Sequence, residues 1–254
     1  MKKIFIGLFY ALIFIFISCN NEKKIEHWTY DGETSPEHWA EIEKNSDCDG
    51  KSQSPINIIV DHTISVENID DLKVLYSPKT IISKVENNGH SIQFDFEPGD
   101  SIQYKKETYH LKQIHFHEPA EHLVNGIRYP IEIHFVHKSK QDNLTVLSIF
   151  GIEGEVSELY GFFETFLPVK KGESKIINQE VDLQSLYPKN KDFYSYSGSL
   201  TTPPCTENVN WIIFKDQLIL SYKHVLKLKN NMPLNNFRNE QLINDRVVHL
   251  NHVK

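Results

Sequence analysis

The chain has 254 residues, 39% hydrophobic and 11% aromatic, which is enough to bury one large core and too little for two, so one domain is expected. Charged residues make up 24%, and no low-complexity tract or solenoid-type repeat is present, which excludes a disordered, fibrous or repeat architecture. The formal net charge is −7 with no clustered basic face, which argues against nucleic acid and anionic membrane surfaces as partners.

The first residues stand apart. Lys2 and Lys3 precede an apolar run from Ile4 to Ile17, and Ser18 and Cys19 follow. That run is shorter than the ~20 residues that span a bilayer comfortably, while its basic start and small residue near the end fit an export signal. Residues 1–18 are therefore expected to form a signal peptide. Cys19 stands where a bacterial lipoprotein signal is cut and lipidated, although Phe16 replaces the usual Leu; plain cleavage and an uncleaved anchor are the alternatives. Residues 19–27 read as a polar tether and residues 28–254 as the folded domain. Loss of residues 1–18 removes two lysines and no acid, leaving 25 basic against 34 acidic groups and a net charge of −9. With Cys19 consumed by the lipid, Cys48 and Cys205 remain in an oxidising compartment. They are expected to pair, two buried free thiols being the alternative.

From Trp28 onward the pattern predicts short strands over 74–76, 81–86, 91–96, 109–117, 131–137, 144–152 and 209–214. Turn signals such as Asn87-Asn88-Gly89 and Pro98-Gly99 separate them. Apolar residues at Val156, Leu159, Tyr160, Phe163 and Phe166 have helical spacing, and Ser221 is a candidate N-cap for a helix reaching about residue 228. The fold class expected is mainly β (α+β), a large and mostly antiparallel sheet with short peripheral helices.

The strongest chemical signal is Gln113-Ile114-His115-Phe116-His117, followed by Glu132-Ile133-His134-Phe135-Val136-His137. Alternate residues of a strand share a face, so Leu111, Gln113, His115 and His117 are expected on one side and Ile114 and Phe116 on the other. Glu132, His134 and Val136 share a face of the second strand, and His137 takes the opposite one. An antiparallel return through Gly126 brings His134 beside His115 and His117, because neighbouring strands lie ~4.8 Å apart. Three imidazoles facing one point are the donor set of a catalytic zinc site, whose fourth position stays open. A bare His-X-His pair is more often surface decoration, but a ligand imidazole needs its second nitrogen paired. Gln113 and Glu132, each two residues before a histidine on its own face, suit that task.

These residues resemble the alpha-class carbonic anhydrases, and the match runs from Trp28 to about Arg246. It is carried, in order, by His27-Trp28-Thr29-Tyr30, Pro36-Glu37-His38-Trp39, Gln53-Ser54-Pro55-Ile56-Asn57, Asn87-Asn88-Gly89-His90, Gln113 to His117, Ala120-Glu121-His122, Glu132 to His137, Ser199-Leu200-Thr201-Thr202-Pro203-Pro204, Trp211 and Asn236-Phe237-Arg238. The resemblance implies a twisted, mainly antiparallel central sheet of about ten strands with zinc at the bottom of a conical cavity. It implies reversible hydration of carbon dioxide to bicarbonate and a proton by hydroxide generated at that zinc.

Carried over position by position, His115, His117 and His134 match the zinc ligands, Gln113 and Glu132 orient His115 and His134, and the backbone carbonyl of Asn236 partners His117. Thr201 and Glu121 match the pair that aims the hydroxide, and Thr202 matches a bicarbonate contact. Val136, Val146, Leu200, Val209 and Trp211 match the apolar wall for carbon dioxide. His90 matches the proton shuttle, with Tyr30, Asn88 and Gln93 along the water path. Gln93 and Glu118 depart from the family's usual Asn and Trp. Cys48 and Cys205 match the disulfide positions of exported members. His122 and His137 are assigned structural roles, the second because of its strand parity. The competing expectations are a noncatalytic binding protein of the same fold, a periplasmic zinc carrier, and a zinc hydrolase for larger esters. The first is usually marked by a lost ligand histidine, and none is lost here.

Overall fold

The computed structural model describes residues 27–69, 71–154 and 158–253. The expected signal peptide, Cys19 and the tether as far as residue 26 lie outside the described residues. Among the described residues no helix is long and apolar enough to cross a membrane.

Among the described residues sixteen strands follow one another: β1 (Asn57–Ile58), β2 (Ile64–Ile69), β3 (Leu72–Leu75), β4 (Thr80–Asn87), β5 (Ile92–Phe96), β6 (Ser101–Tyr104), β7 (Glu107–His117), β8 (Leu123–Val124), β9 (Ile127–Arg128), β10 (Ile131–Ser139), β11 (Leu144–Glu153), β12 (Ser174–Val181), β13 (Phe193–Ser199), β14 (Glu207–Phe214), β15 (Leu218–Leu220) and β16 (His249–Val253). Thirteen form one sheet. Ten lie on a continuous path, β12-β4-β5-β7-β10-β11-β14-β13-β16-β2, and β3, β6 and β15 attach beside it. Most pairs are antiparallel, while β11 meets β14 and β15, and β16 meets β2, in parallel. The helices α1 (Trp39–Ile42), α2 (Glu158–Glu164) and α3 (Tyr222–Lys229) are short. As the sequence suggests, Ser221 caps α3, its hydroxyl accepting from the His224 N–H.

The middle of the sheet is covered on both faces, so β10 and β11 are buried along nearly their whole length, polar residues included. Ile114, Phe116, Ile133, Phe135, Leu147, Ile149, Ile212 and Phe214 belong to the core on one face. Val146, Phe150, Val209, Trp211, Ile213 and Tyr196 form a second core on the other, which is the face the histidines share.

One expectation about parity is corrected. Leu111 does not join Gln113, His115 and His117; it is buried in the first core with Ile114 and Phe116. The cause is a bulge: Val136 pairs with Gln113 but His137 pairs with Leu111, leaving Lys112 as an extra residue that inverts the alternation. His137 does lie on the face opposite His134, with Nε2 hydrogen-bonded to the Tyr76 hydroxyl. Cys48 and Cys205 form a disulfide, with Cα atoms 4.9 Å apart across 157 positions of sequence. It packs with Trp28 and Trp39 in a small third core.

Candidate metal centre and its surroundings

Strand register places the site. Across β5, β7, β10 and β11, Gln93 faces His115, His115 faces His134, and His134 faces Ser148. One rung along, Gln113 faces Val136, Val136 faces Val146, Val146 faces Trp211, and Trp211 faces Tyr196. Both rungs lie on the same face, so a row of imidazoles runs beside an apolar row. Leu200 and Val136 pack against the cluster that contains Val146, Val209 and Trp211, so all five expected wall residues come together.

Each imidazole has one nitrogen tied down. Nδ1 of His115 is 2.9 Å from Gln113 Oε1, Nδ1 of His117 is 2.6 Å from the Asn236 carbonyl, and Nε2 of His134 is 2.8 Å from Glu132 Oε1. All three partners accept, so each tied nitrogen carries the proton and the other presents a lone pair. Those free nitrogens converge: His134 Nδ1 lies 3.3 Å from His115 Nε2, and the ligand atoms of all three residues lie within 4.8 Å of one another. His117 Nε2 is buried without a hydrogen-bond partner, as is Glu121 Oε2, the carboxylate oxygen 3.4 Å away. Lone pairs facing one another in a buried space repel, and a cation between them removes the conflict. The donor set, three neutral imidazoles, fits zinc with one corner left open. Burial holds all three imidazoles below their ordinary range, His117 at about 4, which keeps them in the neutral form a ligand requires.

Glu132 is the centre of the supporting network. Its Oε1 accepts from His134 Nε2, from His122 Nδ1 at 2.7 Å and from Ser148 Oγ at 2.6 Å, and its Oε2 accepts from the backbone N–H groups of Glu121 and His122 at 2.8 Å each. Burial opposes charge on this carboxyl, but His122 and His134 outweigh it and hold it well below the usual carboxylate range. The network continues from His122 Nε2 to the Tyr196 hydroxyl and on to Ser54 Oγ, 2.7 Å at each step. Gly198 is required beside it, since a Cβ there would stand 2.1 Å from Ser54 Oγ and 2.7 Å from the Tyr196 ring.

Glu121 is fully buried, and Oε1 accepts from the Arg238 backbone N–H at 2.9 Å. Desolvation pushes its carboxyl up to about 7, against the lowering influence of His134, the Thr201 hydroxyl and that N–H. Thr201 is buried; Thr202 follows it at the turn where its carbonyl accepts from the Cys205 N–H. Gly89 supplies the left-handed backbone (φ 86°) of the turn before His90, whose N–H donates to Asn88 Oδ1 at 2.9 Å. Asn88 also caps Ser91, and Gln93 Nε2 donates to Asp95 Oδ1 at 2.6 Å. Tyr30 is close enough to Glu121 for the carboxylate to oppose its ionisation, although burial is the larger cause of its raised pKa.

His122, expected in a structural role, holds Glu132. Sequence reasoning missed two participants: Ser148, which also holds Glu132, and Arg238, whose backbone N–H donates to Glu121 while its guanidinium ties Gln53, Ser54 and Cys48. Arg238 lies in the segment that carries the family resemblance, which was its available signal. Ser148 had none, because only the register of β11 against β10 brings it to the site.

A large two-faced sheet carrying three convergent neutral imidazoles beside an apolar wall defines a site that could hold one metal ion. A family model described as eukaryotic-type carbonic anhydrase matches residues 34–252. A carbonic anhydrase from Neisseria gonorrhoeae is 37% identical over 225 residues, 87% of each chain, and one from Klebsiella pneumoniae is 37% identical over 227 residues, 87% of this chain and 90% of its own. The solved alpha-carbonic anhydrase of Thermovibrio ammonificans, in complex with the inhibitor sulfanilamide, superposes with a TM-score of 0.83 at 37% identity, covering 88% of this chain and 98% of its own. The chain belongs to the eukaryotic-type, or alpha, carbonic anhydrase family.

Proposed function

We propose that residues 28–254 form one catalytic domain that hydrates carbon dioxide reversibly to bicarbonate and a proton, using a zinc ion held by Nε2 of His115, Nε2 of His117 and Nδ1 of His134. The observation that carries this reading is the convergence of three lone pairs whose outer nitrogens are each committed to an acceptor. Zinc, when bound, supplies a Lewis acid that brings the pKa of water to about 7, a value known for carbonic anhydrases themselves rather than obtained from this chain.

The remaining tasks fall to the protein. The Thr201 hydroxyl donates to Glu121 and accepts from the attacking oxygen, which fixes the direction of that oxygen's lone pair. Val136, Val146, Leu200, Val209 and Trp211 offer carbon dioxide an apolar surface without a hydrogen bond to trap it, and Thr202 contacts bicarbonate. His90 takes the product proton to buffer, with Tyr30, Asn88 and Gln93 along the water path. Residues 1–18 direct export to the periplasm or cell surface, and a lipid on Cys19 with the tether 19–27 holds the enzyme at a membrane. The Cys48–Cys205 disulfide suits that oxidising location.

Metal analysis tests the centre. The purified protein is expected to retain one zinc per chain after dialysis and His117→Ala to retain none; full zinc content in the variant would contradict the assignment.

A further inference from the structure

Asn236, whose carbonyl accepts from His117, also ties down His90. Its ring is stacked on Trp28, with centroids 3.6 Å apart and 17° between planes, and its backbone carbonyl accepts from Asn236 Nδ2 at 3.0 Å. Its Nε2 lies 2.9 Å from Nε2 of His27, an exposed imidazole 63 positions earlier in the chain. Two neutral imidazoles at that distance share one proton, one ring donating and the other accepting. The mechanism above uses only His90.

We propose that His27 is a second proton carrier in series with His90, taking each proton from His90 Nε2 and releasing it to solvent. This rests on the reading of His90 as the group that exports the proton. In the resting pair the His90 Nε2–H donates to the lone pair of His27 Nε2. A proton arriving through water binds His90 Nδ1, and the Nε2–H bond breaks as a new N–H bond forms on His27 Nε2. His90 is left neutral with its proton on Nδ1, and the His27 imidazolium gives up its Nδ1 proton to buffer. Exchange of ring protons with solvent restores the first tautomers, so one proton enters and one leaves.

The surroundings favour that direction. Burial, then His27, then Lys171 bring His90 down to about 4, so a proton placed on it is readily passed on. Lys171 packs against Gly89, with its Cε 2.8 Å from where a Cβ would stand, and the Tyr30 ring is 6.2 Å from His90. The groups around His90 are thus cationic or neutral. The half-buried, stacked ring of His90 exchanges poorly with bulky buffers, whereas His27 is exposed to them.

The test measures carbon dioxide hydration in weak buffer for the zinc-loaded wild type, His27→Gln, His27→Ala and His90→Ala, together with proton NMR titration of the imidazoles in the metal-free protein. The His27 variants are expected to lower kcat on the order of tenfold, with kcat/KM retained and kcat restored by added imidazole. The His90 titration midpoint should rise in His27→Gln, because a neighbouring positive charge is removed. An unchanged kcat in both His27 variants, or an unmoved His90 midpoint, overturns the relay. If kcat falls in His90→Ala alone, export by His90 stands without the relay; if it falls in no variant, both readings fail.

Discussion

Glu132 decides more about this site than its single contact with His134 suggests. Five donors, three from side chains and two from the backbone, meet on one fully buried carboxylate. Glu132→Ala would leave all five without an acceptor, and removing one partner of a buried charged network costs about 3 to 5 kcal/mol. Urea unfolding of the metal-free variant should show a loss of that size, and a loss under about 1 kcal/mol would mean the donors find other acceptors. The sequence revealed Glu132 and Gln113 as partners through strand parity alone. It did not reveal His122 as a fellow donor, since that contact depends on the fold of 118–130, where the Ala120 N–H bonds to the Tyr129 carbonyl and Arg128 reaches the Ala120 and Glu121 carbonyls.

Among the elements, β7 and β10 were legible because alternation is a property of the strand itself. The bulge at Lys112 was not, because it serves packing: it turns Leu111 into the core beside His137. Strands such as β13, with Ser195, Ser197 and Ser199, and β12, mostly exposed, lack the aliphatic signature of the strands that were predicted and were not anticipated. The parity of β10 also buries His137, whose pKa desolvation lowers from 6.5 to about 3 despite opposing backbone hydrogen bonds. Between those values the unfolded chain binds a proton that the folded chain does not. Its contribution is therefore intact above pH 6.5 and declines by about 1.4 kcal/mol per pH unit as pH falls toward 3. Urea midpoints at pH 7 and pH 5 should differ accordingly, and by less in His137→Asn; an identical pH dependence in the variant would remove His137 from the account.

At the scale of the whole molecule, one covalent tie and one polar network join segments far apart in the chain. The disulfide brings Cys205, next to the Thr201–Thr202 turn, to Cys48, and Arg238 donates to the Cys48 carbonyl at 2.9 Å. Closing a loop of 157 positions stabilises by about 5 kcal/mol in the chain-entropy treatment. The double variant Cys48→Ser/Cys205→Ser should lose most of that in denaturant titration, and equal stability would show the tie to be superfluous. The sequence carried this architecture through the order of its matching segments more than through any single strand, because the large sheet takes its register from residues far apart in the chain.

The most direct measurement is stopped-flow carbon dioxide hydration by the mature protein before and after a strong chelator, with zinc then restored. The lone-pair convergence of His115, His117 and His134 predicts fast turnover that vanishes on chelation and returns with zinc. Turnover that survives complete metal removal, or stays absent after zinc loading, would contradict it.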